Sequence, residues 1–208
     1  MEEYGFYAML DRMQYINRWA LMRNSRYENI KEHSFDVAVI AHALCLLHNK
    51  FNEGREGAIF PDPYKVMAYA IYHDCTEILT GDLPTPIKYD SQVITDAYKD
   101  IERRAADTLT DLLPADDGLK DEYKELLAPS MESEEAKLIH TLVKAADKIS
   151  AYIKCMEEQR AGNHEFDYAA ENVRRSIDAI DLPEVKDFLT EFLPAFSMTL
   201  DELNHPSK

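Results

Sequence analysis

Val37, Ile40, Ala41, Leu44 and Leu47 recur three and four residues apart, the spacing of one buried face on a helix that starts near His33 or Ser34. Leu142, Ala145, Ala146, Ile149 and Ile153 repeat the pattern inside a helix predicted from about Glu132 to Ala161. The apolar stretch from Pro61 to Thr80 predicts a buried helix ended by Gly81. Shorter amphipathic segments predict helices over Tyr4–Ile16, Ser91–Leu113, Leu119–Leu127, Glu165–Ile180 and Pro183–Leu203. Between them, NRWALMRNSRYENIKEH has no clear period and reads as a loop or broken helix, and NEGREGAIFPDP reads as a turn region. In DLPTPIKY two prolines predict a rigid loop. With β-branched alternation nearly absent and no repeat or linker, the pattern predicts an all-α single domain over residues 1–208. About seven to nine helices are expected.

Composition narrows the function more than the fold. The net charge of −16 argues against a nucleic-acid polymer as partner, since phosphate binding needs clustered Lys and Arg. A small phosphorylated ligand is compatible with it, because one metal ion and one or two arginines make a local positive site. No apolar run approaches the ~20 residues of a membrane helix, and MEEYGFYAMLDRMQ lacks the basic start of a signal peptide, so no membrane is expected. Cys45, Cys75 and Cys155 stand far apart without a CxxC pair, which suits reduced thiols and a cytoplasmic location.

The chemistry concentrates in YHDCTEILTGDLPTP, where His73, Asp74, Glu77 and Asp82 follow an apolar run. Buried carboxylates need partners. At about 100° per residue, His73 and Glu77 would share a helix face, with Asp74 one step around. His33, at the start of one apolar helix, and Asp147, among the buried positions of another, complete a set of two imidazoles and two carboxylates from three helices. Such mixed nitrogen and oxygen ligands suit Mn, Fe, Co, Ni or Zn.

The order H…HD…D at 33, 73/74 and 147 in a helical chain resembles the HD-domain phosphohydrolase superfamily. The blocks INRWALMRNSRYENIKEHS, YHDCTEILTGDLPTPIKY and VKAADKISAYIKCMEE narrow the resemblance to the bacterial YfbR-type 5'-deoxynucleotidases. That resemblance implies hydrolysis of 2'-deoxyribonucleoside 5'-monophosphates to deoxynucleoside and phosphate by a homodimer with one divalent metal ion per subunit. His33, His73, Asp74 and Asp147 would be its ligands, with His33, Asp74 and Asp147 also facing substrate. Arg18 would hold the phosphate, Trp19 would lie against the sugar and disfavour a 2'-hydroxyl, and Asp82, Leu83, Pro84 and Thr85 would line the nucleoside side. The mechanism expected is attack on phosphorus by a metal-activated water, with Arg18 neutralising charge and Glu77 orienting or deprotonating the water. Asp82 would either bind the 3'-hydroxyl or help protonate the leaving 5'-oxygen.

Other residues read more plainly. His42 points half a turn away from His33, and His48, His140, His164 and His205 lack a carboxylate constellation. Lys88 and Lys144 read as solvated lysines, and Cys75 is too isolated to be a nucleophile. Two rival functions stand against the first: an HD phosphohydrolase acting on another nucleotide, such as a dNTP or alarmone, and a non-catalytic nucleotide-binding helical dimer. The compact GDLPTP block opposes the former, and Glu77 with Asp82 opposes the latter.

Overall fold

Polar caps set where the helices begin. The computed structural model describes residues 3–88, 90–115 and 118–205, apart from the side chains of residues 85 and 86. The first helix, α1 (Phe6–Asp11), passes into a 3-10 turn over Arg12–Tyr15. The side chain of Asn29 accepts the amides of Lys31 and Glu32, each at 3.0 Å, and so starts α2 (Ile30–Phe51). His33 and Ser34 therefore lie inside the first turns rather than at the cap, because an asparagine four residues before His33 satisfies the free amides first. Asp62 caps α3 (Pro63–Tyr72), and Pro63 enters at a position where its missing amide costs nothing.

The predicted Pro61–Thr80 helix is broken. Ala70 O, the carbonyl a continued helix would pair with the Asp74 amide, lies 2.7 Å from His73 Nδ1. Beyond Tyr72 the amides of Cys75, Glu77 and Ile78 bond three residues back, and a single α-helical turn, α4 (Glu77–Thr80), follows. Gly81 ends it at φ 73°, its amide on Glu77 O at 2.8 Å. DLPTPIKY is not wholly a loop, since it contains the one-turn helix α5 (Thr85–Lys88).

Ser91 caps α6 (Gln92–Thr110), α7 (Leu119–Leu127) follows, and Ser133 caps α8 (Glu134–Arg160). A 3-10 turn over His164–Phe166 leads into α9 (Asp167–Asp178). The predicted Pro183–Leu203 helix is interrupted, because Pro194 has no amide to donate. The chain runs through α10 (Pro183–Asp187), a wide turn over Phe188–Phe192, a 3-10 turn over Leu193–Ser197 and α11 (Leu200–Asn204). The fold is all-α, with one isolated antiparallel bridge, Asn17 to Asn29, among the described residues.

The main core joins α2, α3, α8 and the C-terminal helices. Val37, Ile40, Ala41 and Leu44 meet Val66 and Ala70, and face Leu142, Ala145, Ala146 and Ile149 of α8. All of these are buried, as the periodicity predicts. A second cluster of Phe6, Ile30, Cys75 and Leu109 fastens α1 and α6 under the turn that holds His73 and Asp74. The start of α2, the break after α3 and the middle of α8 are thereby packed side by side.

Candidate active site

His33, His73 and Asp147 each bring one ligand-type atom within 4.8 Å of the others. His33 is fully buried, and its Nε2 lies 3.0 Å from Asp147 Oδ1. Asp74 Oδ2 joins them, 3.2 Å from His73 Nε2 and 3.7 Å from His33 Nε2. Helices α2 and α8, 114 residues apart in the chain at His33 and Asp147, and the turn after α3 thus bring the four predicted ligands together.

The donor chemistry fits a divalent cation. His73 Nδ1 donates to Ala70 O, which turns Nε2 toward the cluster, where its nearest ion-pair partner is the Asp74 carboxylate at 3.2 Å, poorly aligned for a hydrogen bond. Burial and the nearby Arg18 charge push His33 down to about 4, so its imidazole is neutral at pH 7. Burial also opposes charge on His73, but Asp74 and Asp147 outweigh it and lift the group to about 9. Burial raises Asp74 and Asp147, yet His73 and His33 more than offset it and hold both carboxyls below the ordinary range.

Arg18 is the cation that touches this cluster. Its Nη1 donates to Glu28 Oε2 at 3.0 Å and lies 2.7 Å from His33 Nδ1, while Nη2 is 3.7 Å from Asp147 Oδ1. Burial opposes the guanidinium charge, but Glu28, Asp147, Asp74 and Asp82 outweigh it. Trp19 is the one non-glycine residue among those described with a positive φ, 57°. Such a conformation costs about 1–3 kcal/mol and persists only where the surroundings impose it. Its indole Nε1 donates to Glu28 at 3.2 Å, its ring packs on Phe166 at 5.4 Å, and its backbone helps hold the Asp82 carboxylate charged against the effect of burial.

Glu77 is buried with Oε2 unpartnered, and burial together with the Asp74 and Asp82 charges pushes it from 4.5 up to about 9. It does not share a helix face with His73, since the helix breaks between them. Burial likewise raises Asp82, with Arg18 acting against it. Leu83 and Pro84 are half-buried between α4 and α5, and the side chain of Thr85 lies outside the described residues.

A cleft of about 920 Å³ opens onto His73, Asp74 and Asp147 between α3, α6, α7 and α8. Lys88, Tyr98 and Lys144 line it, whereas Arg18, Trp19, Asp82, Leu83 and Pro84 are not among its lining residues. Lys88 is no solvated lysine. It pairs with Glu102 at 2.7 Å and covers the Tyr98 ring at 4.5 Å, because α6 brings both residues across from α5. His48 does have a carboxylate partner, Glu184 of α10 at 2.7 Å, supplied from 136 residues away in the chain.

Sequence reasoning missed Glu28 and Ser150. Glu28 sits in an aperiodic loop and carries no signal. Ser150 Oγ, 3.0 Å from His33 Nδ1, stands three residues after Asp147 on α8, which places both on one face.

A family model described as 5'-deoxynucleotidase YfbR-like matches residues 5–196. A protein of Photorhabdus temperata named 5'-deoxynucleotidase is 42% identical over 199 residues, 96% of either chain. One of Pectobacterium atrosepticum with that name is 42% identical over 207 residues, 100% of this chain and 99% of its own. Among solved structures, an HD-domain phosphohydrolase of Listeria innocua aligns with a TM-score of 0.74 at 21% identity, over 92% of this chain and 87% of its own. The cyanophage S-2L HD phosphohydrolase, bound to dA and one catalytic Zn2+ ion, aligns with a TM-score of 0.56 at 21% identity, over 90% of this chain and 93% of its own. These two share the fold. The match to the family model and to the bacterial relatives goes further, spanning nearly the whole chain, and the chain belongs to the 5'-deoxynucleotidase YfbR-like family.

Proposed function

We propose that the chain, as a single HD-type domain, hydrolyses 2'-deoxyribonucleoside 5'-monophosphates to deoxynucleoside and phosphate. His33, His73, Asp74 and Asp147 would hold one divalent cation per subunit, of the Co, Mn, Ni, Fe or Zn kind. The observation that carries this reading is Arg18, a partly buried guanidinium 2.7 Å from His33 Nδ1 and 3.7 Å from Asp147 Oδ1. A cation site with an arginine at its edge suits a phosphomonoester, whose non-bridging oxygens spread charge over both.

When bound, the cation supplies Lewis acidity toward a phosphoryl oxygen and lowers the pKa of water. Arg18 binds the phosphate by charge-assisted hydrogen bonds once it leaves His33. Glu77 takes the proton of the attacking water, and positive charge in the cluster would offset the Asp74 carboxylate that raises its pKa. As the bond from phosphorus to the 5'-oxygen breaks, that oxygen needs a proton, and Asp82, raised by burial, is placed in the chain to give one or to bind the 3'-hydroxyl. Trp19 lies against the sugar and rejects a 2'-hydroxyl by bulk, and the 82–85 segment lines the nucleoside side.

Homodimeric assembly belongs to this reading, supported by the exposed Phe192, Phe196, Leu200 and Leu203 of the C-terminal segment. Three free, buried cysteines support a reducing, cytoplasmic setting. A second reading, hydrolysis of a nucleotide with more phosphates, is favoured by the cleft beside His73, lined by the exposed Lys144 and by Lys88, which would trade its Glu102 partner for further anionic groups. The test is product release from dAMP and dATP in chelator and after each metal is restored. Phosphate from dAMP only with metal supports the first reading; tripolyphosphate from dATP without turnover of dAMP replaces it with the second.

A further inference from the structure

Arg18 and Trp19 sit on a segment, residues 17–29, with little regular structure of its own, yet Trp19 holds a conformation that L-residues avoid. Two backbone bonds close its base. The Arg18 amide donates to Glu28 O at 2.9 Å and the Ile30 amide to Ile16 O at 3.0 Å. On the far side the main anchor is the buried carboxylate of Glu158, near the end of α8 and 1% exposed, with Glu165 accepting the Arg23 amide at 3.1 Å nearby.

Each oxygen of Glu158 receives only donors. Oε2 accepts the Ser25 amide at 2.8 Å and Asn163 Nδ2 at 2.8 Å. Oε1 accepts the Arg26 amide at 3.3 Å and the ammonium of Lys154, itself 3% exposed. Lys154 Nζ also donates to Arg26 O at 2.5 Å, and Asn163 Nδ2 to Arg23 O at 2.7 Å. Backbone groups at Arg23, Ser25 and Arg26 thus find on α8 and the turn after it the partners that a helix or sheet would otherwise provide. Inside the segment, Trp19 O accepts the Met22 amide at 2.9 Å and Asn24 Nδ2 at 3.1 Å, so the anchored stretch leads directly back to Trp19.

One rigid element carries both ends of this arrangement. Asp147, Ser150, Lys154 and Glu158 fall on one stripe of α8, at spacings of three, four and four residues. Over eleven residues the helix rises roughly 16 Å, so the register of α8 fixes where the anchored segment stands relative to the histidine–carboxylate cluster.

We propose that Glu158, braced by Lys154 and Asn163, is a positioning residue that sets Trp19 and Arg18 against the reaction centre, and that discrimination between deoxyribose and ribose depends on it. The inference rests on the proposed deoxynucleotidase reading for its activity arm only. Glu158 touches no reacting atom. It acts through the 19–26 backbone, and a small displacement of a distant support is enough to degrade a positioned group.

The test uses the full chain, whose single tryptophan is Trp19. Glu158→Gln keeps size and one acceptor but sets an NH2 group against an amide or ammonium donor. Helix content by circular dichroism should stay at the wild-type value. Acrylamide should quench Trp19 more strongly with a red-shifted emission, and the ratio of kcat/KM for dAMP over AMP should fall by about tenfold or more. Asn163→Ala, which removes one cross-link, should move both readouts the same way by less, and it decides the matter if Glu158→Gln does not fold. An unchanged Trp19 signal with an unchanged ratio in the folded variant overturns the proposal. So does an equal loss on both substrates with unchanged quenching, which marks only a smaller folded fraction. If the wild-type protein releases phosphate from neither substrate, the deoxynucleotidase reading fails, and Trp19 quenching alone still decides whether Glu158 sets the segment.

Discussion

Arg18 Nη1 lies 2.7 Å from His33 Nδ1. A guanidinium can only donate, so in this state Nδ1 is the acceptor and Nε2 carries the proton toward Asp147. A cation at Nε2 requires the opposite tautomer, with the proton on Nδ1 and Ser150 Oγ, at 3.0 Å, as its acceptor. Arg18 cannot then keep its place on Nδ1. Loading the site and freeing the arginine for a phosphate are linked through one imidazole.

Ser150→Ala should therefore weaken metal affinity by about 10–100-fold, the usual cost of removing a partner of a metal-ligating histidine. Competition against a fluorescent chelator measures it. Affinity equal to wild type would mean that Nδ1 needs no acceptor and that Arg18 stays where it is.

Proton release should accompany binding. His73, lifted to about 9, is protonated at pH 7, whereas His33, held down to about 4, is not. Binding at pH 7 should release a proton from His73 and, as the cation offsets the charge that raises Glu77, up to a second from Glu77, with fewer released as pH rises through about 9. Calorimetry in buffers of different ionisation heat reads the number. No release at pH 7 would contradict the pairing of His73 with Asp74 and Asp147.

Glu77→Gln should lower kcat by about 10²–10⁴-fold with KM nearly unchanged, the loss expected for a general base. It should not lower stability, because the wild-type residue is a buried carboxyl with an unpartnered oxygen. The pH dependence follows from the sign of the shift. Burial, Asp74 and Asp82 raise Glu77 from 4.5 to about 9, so between those values the folded protein holds a proton that the unfolded chain has released. Stability of the metal-free protein should then fall as pH rises across that window. In Glu77→Gln this slope should be reduced, as thermal melting at a series of pH values would reveal; an identical slope would mean Glu77 ionises normally.

Periodicity made α2 and α8 legible, down to the buried Val37, Leu44, Leu142 and Ile149, because packing rewards one face of a long helix. It could not foresee the break after Tyr72, where the His73 ring takes the carbonyl that would have continued the helix. The cluster of His33, His73, Asp74 and Asp147 was readable from two residue types in the order H…HD…D. The supports were not, since Glu28, Lys154 and Glu158 matter through backbone and long-range partners that spacing does not encode. The polar stripe Asp147, Ser150, Lys154, Glu158 on α8 is the one signal in the sequence for Lys154 and Glu158, and Glu28 has none.

The most direct measurement of the central claim is phosphate release from dAMP and AMP at equal metal loading, in wild type and Trp19→Ala. The account predicts turnover only with metal, a kcat/KM favouring dAMP, and a ratio brought toward one in the variant as AMP turnover gains on dAMP. Equal turnover of both substrates in the wild-type protein, or turnover that survives chelator, would contradict it.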